Sequence, residues 1–267
     1  MKNYIENKIT KNQITFCLTD KENIEEREIH SYHEILLYLE GDVELFTMEG
    51  HRTLKIPSLL IIPAGTYHFF KPKSHPDFMR LKISFSANVA ENEILPEIMS
   101  ELRIIENFNE EIKYICDKLV DVLKMNGENA EFHAYSAFLM LVSALDLCGI
   151  SGEKEDKTNK KGPMNLIAEY ISENLSESLD IKSLAETAHI SPSGITHMFK
   201  KEFGIPIHKY IMQKRLVYAK RLINEGKQPT KIYADVGFKD YSTFYKAYIN
   251  YFGYSPSKEN EKNARLS

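Results

Sequence analysis

A repeat within the C-terminal half constrains the fold of this chain more than any other sequence feature. Residues 164–260 contain two similar segments offset by 49 positions. The matched pairs are Ala185 with Ala234, Ser191 with Asp240, Ile195 with Phe244, Phe199 with Tyr248, Phe203 with Phe252, and Gly204 with Gly253. Each copy therefore predicts a helix with a small residue late in it, then an N-capped second helix with an apolar face and a terminating glycine.

These are the parts of a helix-turn-helix, whose second helix can lie in the major groove of DNA. Between the copies, the segment from Pro206 to Asn224 predicts one connecting helix, since Pro suits the start of a helix and Gly226 suits its end. At 1.5 Å per residue it would be roughly 27 Å long. That length would place the two second helices about one turn of DNA (~34 Å) apart. A plain helical bundle has the same spacings, but two copies in register favour the helix-turn-helix.

The charges are divided unevenly along the chain. The whole chain carries −4, whereas residues 1–150 carry −9 and residues 164–267 carry +4. Between His197 and Lys246 there are eleven basic and four acidic residues. A solvated protein face is usually mixed in sign, so this excess predicts contact with a polyanion by the C-terminal half alone.

The N-terminal half has a different pattern. Short apolar runs at 36–39, 43–48 and 59–62, and a period-two run from 79 to 85, are separated by Gly and Pro and predict a β-barrel or sandwich. Apolar residues then recur every three or four positions, predicting helices at about 109–125 and 131–148, and a further short helix from about Ile94. Residues 149–163 are polar and without period, which predicts a linker between domains at 1–148 and 164–260.

The C-terminal half also carries a series of motifs in a fixed order. They are Ile190-Ser191-Pro192-Ser193, then Met198-Phe199-Lys200-Lys201-Glu202-Phe203-Gly204, then Tyr210, Arg215 and Ala219, and then the run from Ile232 through Val236-Gly237-Phe238 to Phe244. Together they strongly resemble the DNA-binding region of AraC/XylS-family transcription regulators. After Gly253-Tyr254-Ser255-Pro256 the family usually has Tyr-Arg, whereas this chain has Ser257-Lys258-Glu259-Asn260. The resemblance implies double-stranded promoter or operator DNA as the partner, but this difference leaves the last helix and one phosphate contact in question.

The resemblance also implies which side chains face DNA. Ser193, Thr196 and His197 fall on the first reading helix, and Tyr241, Ser242, Thr243 and Lys246 fall on the second. These side chains can contact base edges or phosphate. Lys200 and Lys201 are interpreted as phosphate contacts, with a merely solvated face as the alternative. For Arg215, a structural ion pair is at least as good an interpretation as a contact with DNA.

Two motifs in the N-terminal half, His30-Ser31-Tyr32-His33-Glu34-Ile35 and Pro63-Ala64-Gly65-Thr66-Tyr67-His68, resemble the cupin-like sensor domain common in that family. Metal-binding cupins need two histidines one residue apart and a later Glu on the same face. Adjacent strand residues such as His33 and Glu34 point to opposite faces, so we expect no metal, no cofactor and no catalysis. His68 is more often a packed or capping residue than a ligand.

A small-molecule effector fits the β-rich half better. By resemblance the pocket would include Phe70, Arg80 and Lys82. Alternation along residues 78–85 leaves two interpretations open: Arg80 and Lys82 are solvated beside an ordinary core, or they face a polar ligand. If they face inward, the ligand would be an anion such as a carboxylate or sugar acid, because two buried cations need a partner.

The fold class predicted is therefore α+β in two domains, with an N-terminal cupin-like β-barrel plus helices and a C-terminal, all-α double helix-turn-helix. The function predicted is a ligand-responsive, sequence-specific transcription regulator, and the family resemblance favours a homodimer through the helices near 109–148. Two alternatives stay open: a metal-dependent cupin enzyme with an accessory DNA-binding domain, and a regulator controlled by a protein partner. Contact with RNA polymerase, and activation as against repression, are also open.

The predicted location is a reducing cytoplasm. Cys17, Cys116 and Cys148 are odd in number and widely spaced, and the chain begins without a charged and apolar leader. The most apolar stretch, Phe138 to Leu147, is too short to span a bilayer, so no membrane partner is expected.

Overall fold

The computed structural model describes residues 6–20, 29–48, 50–86, 89, 98–125, 127–148 and 162–259. The chain divides into an N-terminal unit and a C-terminal unit. The linker predicted at 149–163 lies outside the described residues up to position 161, as does most of the short helix predicted from Ile94. The other two predicted helices and the β-rich segment are present.

The N-terminal unit contains a seven-stranded antiparallel sheet among its described residues. Its strands are β1 (Glu6–Lys11), β2 (Ile14–Thr19), β3 (Tyr32–Thr47), β4 (Gly50–Thr53), β5 (Ser58–Ile62), β6 (His68–Ser86) and β7 (Arg103–Ile105). The order is β1-β2-β6-β3-β5-β7, with β4 paired to β3. The runs at 36–39 and 43–48 belong to one strand, because Gly41 carries the chain through with a φ of 117°.

Alternation along β3 divides the core between two faces of the sheet. Ile35 and Leu37 pack with the helices α1 (Glu110–Met125) and α2 (Ala130–Leu147), which end within a residue or so of the predicted bounds. Leu36 and Tyr38 belong to a separate apolar cluster on the other face. Of the helices in the described ranges, none is both long enough and apolar enough to cross a membrane.

The C-terminal unit is helical, as the repeat predicts. Its helices are α3 (Pro163–Glu173), α4 (Ile181–Thr187), α5 (Pro192–Phe203), α6 (Ile207–Asn224), α7 (Pro229–Ile232) and α8 (Tyr241–Phe252). The pairs α4–α5 and α7–α8 are two helix-turn-helix motifs, and α6 is the predicted connecting helix. The chain therefore has the predicted α+β organisation, with an N-terminal sheet and C-terminal helices.

One predicted pair in the repeat is wrong. Ala185 is buried, but Ala234 is exposed and its counterpart is Glu186. The amide of Ile190 donates to the carbonyl of Ala185, and in the second copy the amide of Phe238 donates to the carbonyl of Tyr233. The first helix and turn thus repeat at an offset of 48. The second copy has one extra residue, Lys239, before its N-cap, which restores the offset of 49 for α5 and α8.

The C-terminal end of the described chain is anchored where the family motif ends. Glu259 is 4 % exposed and its carboxylate accepts a hydrogen bond from the hydroxyl of Tyr248 at 3.0 Å. Lys220 on α6 lies 3.3 Å from the same carboxylate and donates to the Tyr254 hydroxyl at 3.0 Å. The residues that replace the usual Tyr-Arg pair therefore supply a buried acid that fixes this end of the unit.

Candidate functional sites

The first candidate surface is the outer face of α5. Ser191 caps the helix by accepting a hydrogen bond from the Gly194 amide at 3.1 Å, and Gly204 ends it with a φ of 71°. Ile195, Phe199 and Phe203 fill the inner face and are buried. The predicted DNA-facing residues all lie exposed on the other side: Ser193, Thr196, His197, Lys200 and Lys201.

The second candidate surface, on α8, is built in the same way. Asp240 caps the helix, accepting from the Thr243 amide at 2.7 Å. Phe244 and Tyr248 are fully buried on its inner face. The residues predicted to face DNA lie on the outer side, with Tyr241 half-buried and the others exposed: Tyr241, Ser242, Thr243 and Lys246.

Two of the predicted hydroxyl donors already have partners within the helices. Thr196 donates to the Pro192 carbonyl at 2.9 Å, and Thr243 donates to the Asp240 carboxylate at 2.9 Å. Their oxygens can still accept hydrogen bonds, but their protons are engaged. Donation to base edges therefore falls more heavily on His197, Ser242 and Lys246.

The basic excess between His197 and Lys246 is not all available to DNA. Arg215 donates to the carbonyls of Leu175 and Glu177 at 3.0 and 2.7 Å, which is a structural role. Lys220 pairs with Glu259, and burial lowers the pKa of Lys214. The exposed lysines of this stretch are Lys200, Lys201, Lys209, Lys227, Lys231, Lys239 and Lys246.

Tyr245 is a further exposed residue of α8 that the sequence interpretation missed. Its side chain is 36 % exposed and lines a shallow, open depression of about 230 Å³ with Tyr241, Ser242 and Lys246. Its position in the sequence does indicate this surface, because Tyr245 lies one helical turn after Tyr241 and one residue before Lys246. Tyr245 was not predicted because an aromatic residue in an apolar-rich helix is usually assigned to the core.

A third candidate site is a polar cluster on the sheet face that does not contact α1 and α2. Glu34 on β3 lies 3.6 Å from the ammonium of Lys82 on β6, and 3.3 Å from Nε2 of His68. Glu34 and His68 are both buried, and Lys82 is half-buried. Leu81, Ile83 and Phe85, which alternate with Lys82 along β6, pack in the opposite core. The apolar residues of β6 thus pack in the core against the helices, while Lys82 lies on the other face beside Glu34 and His68.

The same face carries the other predicted effector residues. The guanidinium carbon of Arg80 lies 6.0 Å from the centre of the Tyr38 ring, and the Phe70 ring centre lies 5.0 Å from that ring. Burial raises the pKa of Tyr38, so its phenol stays protonated. Arg80, Lys82 and Phe70 are therefore brought together around Tyr38 and Glu34.

The histidine and glutamate motif does not assemble as in a metal-binding cupin. His33 lies on the opposite face from Glu34, where it stacks on Phe85 with 5.6 Å between ring centres and accepts from the Ala64 amide at 3.2 Å. Glu34 and His68 could each offer a metal ligand, but the Lys82 ammonium lies against the same carboxylate. Glu34 and His68 are nevertheless two of three described side chains whose ligand atoms all lie within 4.8 Å of one another, so the metal-dependent alternative stays open.

Known proteins similar to this chain are regulators. A family described as a helix-turn-helix domain matches residues 184–262. The probable transcriptional regulator LumQ of Photobacterium leiognathi is 26 % identical over 234 residues, covering 86 % of this chain and 89 % of LumQ. The Msm operon regulatory protein of Streptococcus mutans is 23 % identical over 239 residues, covering 86 % and 84 %. The solved C-terminal domain of the response regulator yesN from Fusobacterium nucleatum is 31 % identical with a TM-score of 0.34, covering 35 % of this chain and 93 % of that domain.

Proposed function

We propose that this chain, a transcriptional regulator with an AraC-type helix-turn-helix domain, reads DNA with α5 and α8 and senses a small anion with its N-terminal sheet. The observation that carries the DNA proposal is the shared design of the two helices. Each is N-capped, buries aromatic residues on one side, and presents polar and basic side chains on the other. The 18-residue helix α6 between the motifs supports their placement in successive major-groove segments.

Within this surface we assign Lys246 to base reading and Lys201 to phosphate contact. Lys246 lies in the first half of α8, where the helices of this motif approach base edges, whereas Lys201 lies in the last turn of α5. Lys246→Ala should weaken binding to a specific site by about 1–3 kcal/mol and relax preference at one position, and Lys201→Ala should weaken all sequences about equally.

Competition binding at fixed salt would test this assignment. The probe is a duplex selected by the full chain from a pool with a randomised core, and the competitor is the unselected pool. Lys182→Ala is the matched control, since Lys182 is exposed on α4 outside both surfaces. If Lys246→Ala lowers the affinity for selected and unselected duplexes equally, Lys246 does not contact a base.

The effector proposal is supported by the charged side chains on the sheet face that does not contact α1 and α2. Lys82 lies against the carboxylate of Glu34, and Arg80 lies on the same sheet face beside the protonated phenol of Tyr38 and the ring of Phe70. A carboxylate or sugar acid would pair with these basic side chains and pack on the aromatic rings. We infer that the sheet closes as a cupin-like barrel around this face, and that the protein acts by binding and not by catalysis.

Thermal shift against a panel of acids and neutral sugars would test the effector site. A stabilising acid should lose its effect in Arg80→Ala and keep it in Lys118→Ala, because Lys118 is exposed on α1. A neutral sugar that stabilises the wild type and the Arg80→Ala variant equally would defeat the proposal. Bound effector would act by its difference in affinity for two arrangements of the DNA-binding helices.

We further propose that α2 pairs with a second copy of the chain. Four large apolar side chains are exposed along this helix at helical spacing: Phe132, Leu139, Met140 and Leu147. They form a stripe that runs from the first turn of α2 to its last, and a two-fold interface uses the same surface on both subunits.

Sedimentation equilibrium would test the pairing. Phe132→Ser with Leu139→Ser should shift a dimer to monomer. Met125→Ser should not, although Met125 is 79 % exposed, because it lies at the end of α1. If the double variant is still a dimer, this stripe is not the dimer interface. Contact with RNA polymerase is a separate proposal to which no particular surface is assigned.

A further inference from the structure

The shallow depression on α8 differs in chemistry from the rest of the basic surface. Its walls are two tyrosine rings one helical turn apart, with 5.9 Å between the centres of Tyr241 and Tyr245. Ser242 and Lys246 complete the lining. An aromatic recess therefore opens within the face assigned to base reading, directly beside the lysine assigned to a base edge.

The recess is held in place by the core beneath it. The Tyr241 ring lies 6.0 Å from the ring of Phe244, which is fully buried, and 6.2 Å from the ring of Tyr233. The Asp240 cap fixes where the helix begins. Since Tyr241 contacts the core on one side, its orientation is set before any ligand arrives, which lowers the entropic cost of binding.

The first reading helix has no equivalent recess in sequence. At the offset of 49, Tyr241 and Tyr245 correspond to Pro192 and Thr196 on α5. Tyr233, which supports Tyr241, occupies the position of Ala185 in the first copy. The aromatic walls and their support therefore belong to the second copy alone, so the two helices should prefer different bases.

The major groove offers one apolar group that such a recess can recognise. It is the 5-methyl group of thymine, which apolar side chains contact in direct readout. Lysine beside the recess can reach O6 or N7 of a neighbouring guanine. We propose that Tyr245, together with Tyr241, forms a pocket for the methyl group of a thymine next to the base pair contacted by Lys246. This proposal rests on the proposed function of α8 as a reading helix.

Uracil substitution tests the pocket, because uracil differs from thymine only by that methyl group. The probe is a duplex selected by the full wild-type chain from a randomised pool, with each thymine replaced singly by uracil. We expect one position at which uracil lowers affinity about fourfold, the effect of one buried methyl group. Tyr245→Ala should bind the thymine duplex more weakly and lose that sensitivity, whereas Tyr245→Phe should keep both properties. Tyr114→Ala is the control, since Tyr114 is an exposed tyrosine on α1.

Different outcomes would overturn different parts. If uracil is tolerated at every position while Lys246→Ala still loses sequence preference, the methyl pocket is wrong and the reading helix stands. If Tyr245→Phe loses as much affinity as Tyr245→Ala, and the uracil penalty persists in both, the hydroxyl contacts the backbone and the pocket is wrong. If Lys246→Ala and Lys201→Ala both bind like the wild type, the proposed DNA surface fails, and the pocket fails with it.

Discussion

Single side chains at the helix starts connect the stability of the DNA-binding unit to pH. The amide and hydroxyl of Thr243 donate to the carboxylate of Asp240, and these hydrogen bonds hold its pKa below the usual range. A carboxyl group with a lowered pKa in the folded state adds stability above its unfolded pKa. That stability is lost as the pH falls through the folded pKa.

Asp240→Asn should therefore remove the stabilisation that depends on the ionised carboxylate. It should keep the cap itself, because Asn is an equally good N-cap. The difference in unfolding midpoint between the wild type and the variant should be largest at neutral pH and should shrink as the pH falls below the ordinary range for Asp. Unfolding followed by circular dichroism of the full chain measures this. A difference that stays constant with pH would show that the carboxylate charge does not contribute.

A second residue-scale expectation concerns Glu259. It is buried between Lys220 and Tyr248, and both contacts are polar. Burial raises the pKa of the Tyr248 phenol, and the negative charge of Glu259 raises it further. The phenol therefore stays protonated and donates to Glu259. Glu259→Ala should lower the free energy of unfolding by about 1–3 kcal/mol, because buried Tyr248 and half-buried Lys220 lose their acceptor. Lys258→Ala, an exposed neighbour, is the control for denaturant unfolding, and equal stability of the two variants would contradict the role assigned to Glu259.

At the scale of elements, the turn of the second helix-turn-helix motif packs closely at Gly237 against the connecting helix α6 and the loop before α4. This residue has a φ of 83°, and an added Cβ would collide with the Leu175 carbonyl oxygen and the Arg215 guanidinium. The same guanidinium bonds to Leu175, so α6, the loop before α4 and the turn before α8 share one contact. The packing leaves room for glycine only.

Gly237→Ala should destabilise the unit more than Gly226→Ala does, although both residues have positive φ. Gly226 follows α6 with a φ of 86° and open space where a Cβ would lie, so only the backbone strain of about 1–3 kcal/mol applies there. At Gly237 the collision adds to the strain. Chemical unfolding of both variants measures the difference, and equal losses would contradict the close approach at Gly237.

The elements also show what the sequence could and could not predict. Ser191, Asp240, Gly204 and Gly253 were identifiable because caps and left-handed glycines are local signals. Lys239 was missed because a fixed offset cannot detect one inserted residue. The separation of His33 from Glu34 followed from strand alternation, but the meeting of Glu34 with Lys82 depends on packing across the sheet, which no local pattern carries.

For the whole molecule, the division of charge between its halves has a consequence for affinity. Residues 1–150 carry −9, and the exposed lysines of the C-terminal unit supply the attraction to DNA. The acidic half should repel the phosphate backbone, and salt should screen this repulsion. Deletion of residues 1–163 should therefore raise the affinity for unselected duplex at low salt.

Dimerisation could mask that gain, because two linked DNA-binding units bind with avidity. The fragment should therefore be compared with the full chain carrying Phe132→Ser and Leu139→Ser. Both proteins are then monomers, and the two substitutions leave the formal charge of the full chain unchanged. Fluorescence anisotropy over a salt series should give tighter binding by the fragment at low salt, with the two curves converging as salt rises. The fragment's helical circular dichroism confirms that it is folded. Equal affinities at low salt would contradict the predicted repulsion, because the field of the DNA extends about 30 Å at 0.01 M salt.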